Sequence, residues 1–526
     1  MIKNQKWYWL VALLAAWLFD FLFWEKASGI SFTLWVFVML AGGYVLGALE
    51  GKKPHRLSIL LTVLIMGFSL VMAVRNEPFT RAVSVLLTFS GMMLLVATFL
   101  NGYWPWYRLR DYFLEMLKVI GGGFSGAILL NSRSKTIPSV DGSVKPSAWR
   151  RVLPILRGLL IALPIVAVLS VLLSSADPIF GDWIKRVLDL DKIPEYLFRF
   201  FYIAIIAAFL VGVYLKALQP AGEVEKPSPD SPAVKPFLGW TESGIILGAV
   251  DLLFLAFVFI QVRYLFGGVN NITETGYTYA EYARRGFGEL VAVAVLSLGL
   301  YVVLSSITRM TSKAAKTGFT VLSILLMVNV MVILASSLQR ILLYENAYGF
   351  SKLRTYANIG IYWLAALIVV VVLLELLKKR GWFGLALMIT LVGFGATLAL
   401  VNVDGFIVKR NVERARAGEE LDVAYLNTLS SDAVPQLLNF YQDETLPMDV
   451  TRQVGAALAC RVKITDDPAE MPWQGYNFSQ ARAYRLLQEN ADSWSQYTIK
   501  QAYPGWVVEI DGEEIPCEDF SLAELD

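Results

Sequence analysis

The sequence predicts an all-α polytopic integral membrane protein with about eleven transmembrane helices and a small, mainly helical C-terminal domain that carries a β-hairpin. Apolar residues make up 56% of the 526 residues and charged residues only 17%, against about 25% charged residues in soluble domains. Many apolar runs reach the ~20 residues that a spanning helix needs. After Val403 such runs stop, and the rest of the chain holds 10 basic and 22 acidic residues, a net charge of −12.

Eleven apolar runs are long enough to be spanning helices. They cover residues 7–24, 30–49, 57–74, 82–100, 152–174, 196–215, 243–266, 287–307, 318–338, 356–377 and 383–403. We therefore expect an N-terminal four-helix membrane part with a long cytoplasmic loop over 1–151, a seven-helix membrane core over 152–403, and an acidic extramembrane domain over 404–526.

The region beyond Val403 has the pattern of a small folded domain. Apolar residues recur at helical spacing and predict four short helices, over 421–429, 432–441, 448–462 and 479–490. Apolar and polar residues alternate on both sides of Asp511-Gly512, which predicts a β-hairpin over 506–515.

The orientation follows from the distribution of lysine and arginine among the loops. If the N-terminus is cytoplasmic, the loops after the even-numbered helices are also cytoplasmic, and these loops carry more lysine and arginine than the others. Cytoplasmic loops are enriched in these residues. Eleven spans that begin in the cytoplasm place the C-terminal domain outside the cytoplasm.

The stretch from Gln261 to Glu289 is a polar excursion between two apolar runs. Thr278-Tyr279-Ala280-Glu281 fits a helix capping box. Arginines that follow such a cap either anchor the helix at the headgroup level or bind an anionic group such as a lipid phosphate. The candidate residues for anion or lipid binding are Gln261, Glu281, Tyr282, Arg284 and Arg285.

Four segments of this chain, QVRYLFGG, YAEYARRGF, ADPIF and the block from Asn402 to Pro435, resemble those of a bacterial family of polytopic membrane proteins of unknown function. The resemblance covers residues from about 153 to 483. It implies the membrane fold and a place in the bacterial plasma membrane, and it implies no activity.

Ionisable residues inside the apolar runs are candidate functional residues, because a charge is costly in hydrocarbon. The ionisable candidates are Asp20, Arg157 and Asp251. The amide side chains in the apolar runs are Asn329, Asn358 and Asn402. Asp251 is either a proton or cation site, or it pairs with Arg157 or an interhelical amide.

Histidine and cysteine are scarce. The single histidine, His55, excludes histidine-based catalytic triads and multi-histidine metal sites. We expect no metal and no cofactor. Cys460 and Cys517 both fall in the C-terminal domain, where a disulfide persists if the domain lies outside the cytoplasm. The alternative is that Cys460 is simply a buried small apolar residue.

Two functional classes remain open at this stage. One is a non-enzymatic transport-related or envelope-associated protein with a working surface on the outer face, and the other is a membrane enzyme or scaffold that handles lipid or lipid-linked anionic groups at the outer leaflet. The first is favoured, and no catalytic residue can be assigned. The expected partners are membrane lipids, one of them an anionic lipid or lipid-linked ligand, and no nucleic acid. Further outer-face candidates are Asp177, Glu274 and Asp404.

Overall fold

The structure is a computed structural model, and it describes residues 5–133, 169, 173, 177, 193–219, 236–266, 287–502, 505–510 and 512–518. Ten helices of this part are long and apolar enough to cross a membrane. They correspond to ten of the eleven predicted spans. The predicted span 152–174 lies outside the described residues, except for Leu169 and Leu173.

We number the helices over the described residues. The membrane part contains α1 (Gln5–Phe23), α2 (Ile30–Leu49), α3 (Arg56–Val74), α4 (Pro78–Thr98), α5 (Leu109–Arg133), α6 (Ile193–Leu218), α7 (Trp240–Phe266), α8 (Phe287–Ile307), α9 (Lys313–Tyr348), α10 (Lys352–Leu376) and α11 (Phe383–Val401). All of these except α5 are among the ten candidate spans.

The part of the chain after α11, which we call the C-terminal domain, contains six helices and a small sheet in its described residues. They are α12 (Val403–Arg416), α13 (Val423–Asn427), α14 (Val434–Tyr441), α15 (Met448–Ile464), α16 (Phe478–Glu489), α17 (Ala491–Trp494), β1 (Ile499–Ala502), β2 (Gly505–Ile510) and β3 (Glu513–Pro516). The strands form an antiparallel sheet in the order β1-β2-β3. The four predicted helices and the hairpin are confirmed, whereas β1, α12 and α17 were not predicted.

The chain divides into two compact units. The first comprises residues 1–24, 41–53 and 118–219, and the second comprises 25–40, 54–117 and 220–526. In the first unit α1 packs against α6. The buried Asp20 on α1 accepts hydrogen bonds from Arg199 Nε at 2.9 Å and Nη2 at 2.5 Å, and from the Tyr202 hydroxyl. Since a guanidinium fork and a hydroxyl satisfy this carboxylate, Asp20 joins α1 to α6.

The second unit holds both membrane helices and the C-terminal domain. α3 packs against α4, and α9 packs against α7, α8 and α10. The core of the C-terminal domain is apolar and surrounds α15, whose residues from Val454 to Arg461 are all buried. Within it Cys460 and Cys517 form a disulfide; their Cα atoms are 5.2 Å apart, and the two residues are separated by 57 positions in sequence.

Candidate functional site

The helices α7 and α9 run parallel, and polar side chains meet along their contact. Asp251 on α7 faces Asn329 on α9, and ten positions further along α7 Gln261 accepts a 2.9 Å hydrogen bond from Ser336 on α9. At the beginning of α7, the hydroxyl of Ser243 lies 2.7 Å from the hydroxyl of Thr308, the residue that follows α8. We call these six residues the polar seam.

Asp251 is the one carboxylate of the polar seam, and it lies within a spanning helix. Its side chain is 2% exposed. One oxygen, Oδ1, accepts from Asn329 Nδ2 at 3.4 Å, which is long for a hydrogen bond. The other oxygen, Oδ2, has no hydrogen-bond partner among the described residues. A charge at this position would therefore receive little compensation from the described part of the protein.

Glu375 on α10 shows how the same protein satisfies another buried carboxylate. It accepts hydrogen bonds from the hydroxyls of Tyr301 at 2.9 Å and Thr320 at 2.8 Å. Arg380 Nε donates to it at 2.6 Å, and the Arg380 guanidinium lies over the Phe319 ring, 4.8 Å from its centroid. Because Glu375 has a cation and two hydroxyls, it has a structural role that Asp251 does not share.

Where the C-terminal domain meets the beginning of α4, the buried carboxylates Asp432 and Glu77 hold the two together. Asp432 accepts from the backbone N–H groups of Asn76 at 3.0 Å and Glu77 at 3.1 Å. Glu77 caps α4, accepting from the N–H groups of Phe79 and Thr80, and the Tyr356 hydroxyl donates to it at 2.5 Å. Loss of hydration on burial raises the pKa of Asp432, although the Ser479 and Asn76 hydrogen bonds act in the opposite direction.

Asp404, one of the predicted outer-face residues, is buried in the same region. It accepts from the backbone N–H of Ser430 at 2.6 Å. Arg461 is also buried, and its guanidinium donates to the carbonyls of Leu426 and Asn427 at the end of α13. Burial lowers the pKa of Arg461 to about 10, and the charge of Asp404 opposes that shift. These contacts give Asp404 and Arg461 a role in packing the C-terminal domain.

Of the remaining predicted site residues, the structure describes Asp177. It is exposed, and its backbone N–H donates to the Leu173 carbonyl at 3.0 Å. The others lie outside the residues that the structure describes, so their proposed roles stay predictions. They are Arg157, Glu274, Glu281, Tyr282, Arg284 and Arg285.

One protein-family model matches more than half of the chain. The model of the Domain of unknown function (DUF4153) matches residues 60–440. The chain belongs to the DUF4153 family. The comparisons with curated proteins and with solved structures gave no match.

The DUF4153 region extends further toward the N-terminus than the predicted resemblance and ends earlier than it. It holds Asp251, Asn329 and the whole polar seam, together with Asp432, whereas Asp20, Cys460 and Cys517 lie outside it. The candidate site of this DUF4153 protein is therefore contained in the part that matches the family.

Sequence reasoning missed four buried carboxylates among the described residues of the second unit: Glu77, Glu345, Glu375 and Asp432. Each of the three glutamates lies near an end of an apolar run, where a charged residue is ordinarily exposed to water or headgroups. A glutamate directly before a proline and the N-terminus of α4 was a signal for Glu77, since carboxylates cap helices. For Glu345, the signal was a helical pattern of apolar residues that continues past Leu338. In the structure the Nδ2 atom of Asn358 on α10 donates a 2.8 Å hydrogen bond to the Glu345 carboxylate.

Proposed function

We propose that this DUF4153 protein is a non-enzymatic membrane protein with a transport-related role, in which Asp251 accepts and releases a proton. The observation that carries the proposal is the free carboxylate oxygen of Asp251, which is buried within a spanning helix and has no partner among the described residues. Proton relays in membrane proteins use carboxylates in such positions.

The energetic argument concerns the ionised form of Asp251. A charge inside hydrocarbon costs several kcal/mol, about 2.5–3.5 on insertion scales. A neutral amide at 3.4 Å compensates little of this cost. We therefore expect Asp251 to hold a proton at rest and to lose it only when water or a partner group reaches Oδ2. One carboxylate and one amide also supply few oxygen ligands for a dehydrated metal cation, which favours the proton.

The rest of the polar seam supports this role. Ser243 and Thr308 lie near one end of α7, and Gln261 and Ser336 lie near the other. Hydroxyl and amide groups along α7 and its neighbours therefore provide hydrogen-bonding groups on both sides of Asp251. Such groups are suited to hold water molecules that would carry a proton to and from the carboxylate.

The location is part of the proposal. We place the protein in the bacterial plasma membrane, with the N-terminus in the cytoplasm and the C-terminal domain outside, where it gives the protein a working surface in the cell envelope. The lysine and arginine distribution supports this orientation, as does a disulfide in the C-terminal domain. Arg284 and Arg285 remain the proposed anion-binding residues of that surface.

The experiment is a proton-flux assay on the purified full-length chain in lipid vesicles. The vesicles contain a pH-sensitive dye, and a potassium gradient with valinomycin makes their interior negative. Wild-type protein is expected to acidify the interior faster than protein-free vesicles do. Asp251→Asn removes the titratable group with little change of shape, and is expected to reduce the rate to that of protein-free vesicles.

The matched control is Asp449→Asn, the same chemical change at an exposed position of the C-terminal domain whose only described ion pair is with Arg452. This variant is expected to retain the wild-type rate. Equal rates for wild type and Asp251→Asn would contradict the proposal. The alternative from the sequence, that Asp251 pairs with Arg157, is tested in parallel. If Arg157 neutralises Asp251, Arg157→Gln is expected to destabilise the protein. Adding Asp251→Asn to that variant is then expected to restore its stability.

A further inference from the structure

A large cavity opens at the end of the membrane helices where α5, α9 and α11 begin. It has a volume of 1270 Å³. Its lining includes six basic side chains, from the beginning of α5 and the residue before it, the beginning of α9, and the connection between α10 and α11. They are Arg108, Arg110, Lys313, Lys316, Lys378 and Arg380. No acidic residue lines it within the part of the chain that the structure describes. None of the six residues of the polar seam lines this basic cavity.

The basic residues of the cavity differ in their environment. Arg380 is anchored by the buried Glu375, so its charge is largely compensated. Lys313, Lys316 and Lys378 are exposed, and no carboxylate within 4.0 Å of their ammonium groups is found among the described residues. Three exposed cations at one opening therefore provide uncompensated positive charge.

The backbone adds to this charge. The first residues of α5, α9 and α11 all line the basic cavity, and the N-terminal ends of helices carry a partial positive charge that favours anions. Gly384 permits this convergence, because a Cβ atom at that position would lie 2.8 Å from the Leu109 backbone nitrogen. The cavity therefore offers positive side chains and three positive helix ends to a bound group.

Part of the wall of the basic cavity is apolar. Phe113 and Val303 are exposed by 63% and 54% of their side-chain surface and line the cavity together with Phe383. In a membrane protein, a basic opening suits the charged headgroup of a phospholipid, and the exposed apolar residues beside it suit the acyl chains. A free phosphate would make no use of the apolar walls.

We propose that the basic cavity binds the phosphate headgroup of an anionic phospholipid, with Lys313, Lys316 and Lys378 around the phosphate and the acyl chains along Phe113 and Val303. Basic pockets between membrane helices bind anionic headgroups in this way. The positive charge predicts this end of the helices to be cytoplasmic, so the lipid belongs to the inner leaflet, opposite to the surface of Arg284 and Arg285.

The test is native mass spectrometry of the full-length protein, titrated with phosphatidylglycerol and with phosphatidylcholine of the same chains. Wild type is expected to prefer phosphatidylglycerol. Each lysine near an anionic group contributes about fivefold in affinity. The triple variant Lys313→Gln, Lys316→Gln, Lys378→Gln is therefore expected to weaken phosphatidylglycerol binding by on the order of 100-fold. The control triple variant is Lys53→Gln, Arg56→Gln, Lys379→Gln. These three residues do not line the cavity, so the control is expected to keep the preference for phosphatidylglycerol.

A second variant, Val303→Trp, leaves the charge intact and fills the apolar wall. It is expected to weaken phosphatidylglycerol binding without changing the folded content measured by circular dichroism. Inorganic phosphate serves as the competing probe. If it binds wild type as tightly as phosphatidylglycerol does, and Val303→Trp changes nothing, the site takes a free phosphate and the lipid proposal is overturned. Equal affinity of the wild-type protein for phosphatidylglycerol and phosphatidylcholine would also overturn the lipid proposal.

Discussion

Replacing Cys460 and Cys517 together by alanine is expected to lower the free energy of unfolding of the C-terminal domain by about 4 kcal/mol. The disulfide connects α15 to the segment after β3 and closes a loop of 57 residues. A crosslink of that span restricts the unfolded chain, and the chain-entropy relation gives this magnitude. Urea-dependent proteolysis of the full-length protein in detergent measures the change, since it reports unfolding of one domain without isolating it.

Reduced wild-type protein is the control for this prediction, because it keeps both sulfur atoms and loses only the bond. It is expected to lose as much stability as the double variant, apart from the small packing effect of two missing sulfurs. Unchanged stability on reduction would show that the disulfide does not constrain the domain.

The same cysteines test the location of the C-terminal domain. Intact cells are treated with a membrane-impermeant thiol reagent, after mild reduction and denaturation of the exterior. Labelling that requires reduction, but not membrane breakage, supports the bond and the extracytoplasmic location together. Labelling that appears only after the membrane is broken would contradict the location.

The second large effect is expected at Asp432. Asp432→Ala removes the acceptor of the Asn76 and Glu77 backbone N–H groups, and Glu77 is itself 2% exposed. Each buried donor left without a partner costs about 1–3 kcal/mol, so we expect a loss of about 3 kcal/mol in the free energy of unfolding. Urea-dependent proteolysis measures this loss as well, and protease sites in the C-terminal domain should be cleaved at lower urea.

Asp449→Ala is the matched control for Asp432, since it removes the same side chain from an exposed position. Its effect is expected within about 0.5 kcal/mol of zero. Asp432→Asn retains one oxygen acceptor and is expected to fall between wild type and Asp432→Ala. Equal stability of Asp432→Ala and Asp449→Ala would mean that this contact does not hold the C-terminal domain to α4.

The membrane part was predictable because its signal is local. A spanning helix must be apolar over its whole length, so composition alone places ten helices with ends close to those observed. α9 is the exception, because it continues from the predicted end at Leu338 to Tyr348. Its last turns pair Glu345 with Asn358 and meet the C-terminal domain, so protein contacts satisfy polar groups that ordinarily lie in headgroups or water.

The contacts of the candidate site were less predictable. Asp251 was found because an ionisable residue in an apolar run is unusual, but nothing local identifies Asn329, 78 positions away, as its neighbour. The same holds for Asp432 and Asn76, which are 356 positions apart. In the C-terminal domain the hairpin was predicted from its Asp-Gly turn, whereas β1 pairs with β2 without such a marker. Pairings that depend on tertiary packing leave no periodic pattern in the sequence.

The central claim is that Asp251 carries an exchangeable proton inside the membrane. Infrared difference spectroscopy of the protein in lipid detects a protonated carboxyl group through its carbonyl stretch, which shifts when hydrogen is exchanged for deuterium. We predict such a band in wild-type protein at neutral pH, its absence in Asp251→Asn, and its retention in Asp449→Asn. An unchanged band in Asp251→Asn, or no protonated carboxyl band in wild type at neutral pH, would contradict the account.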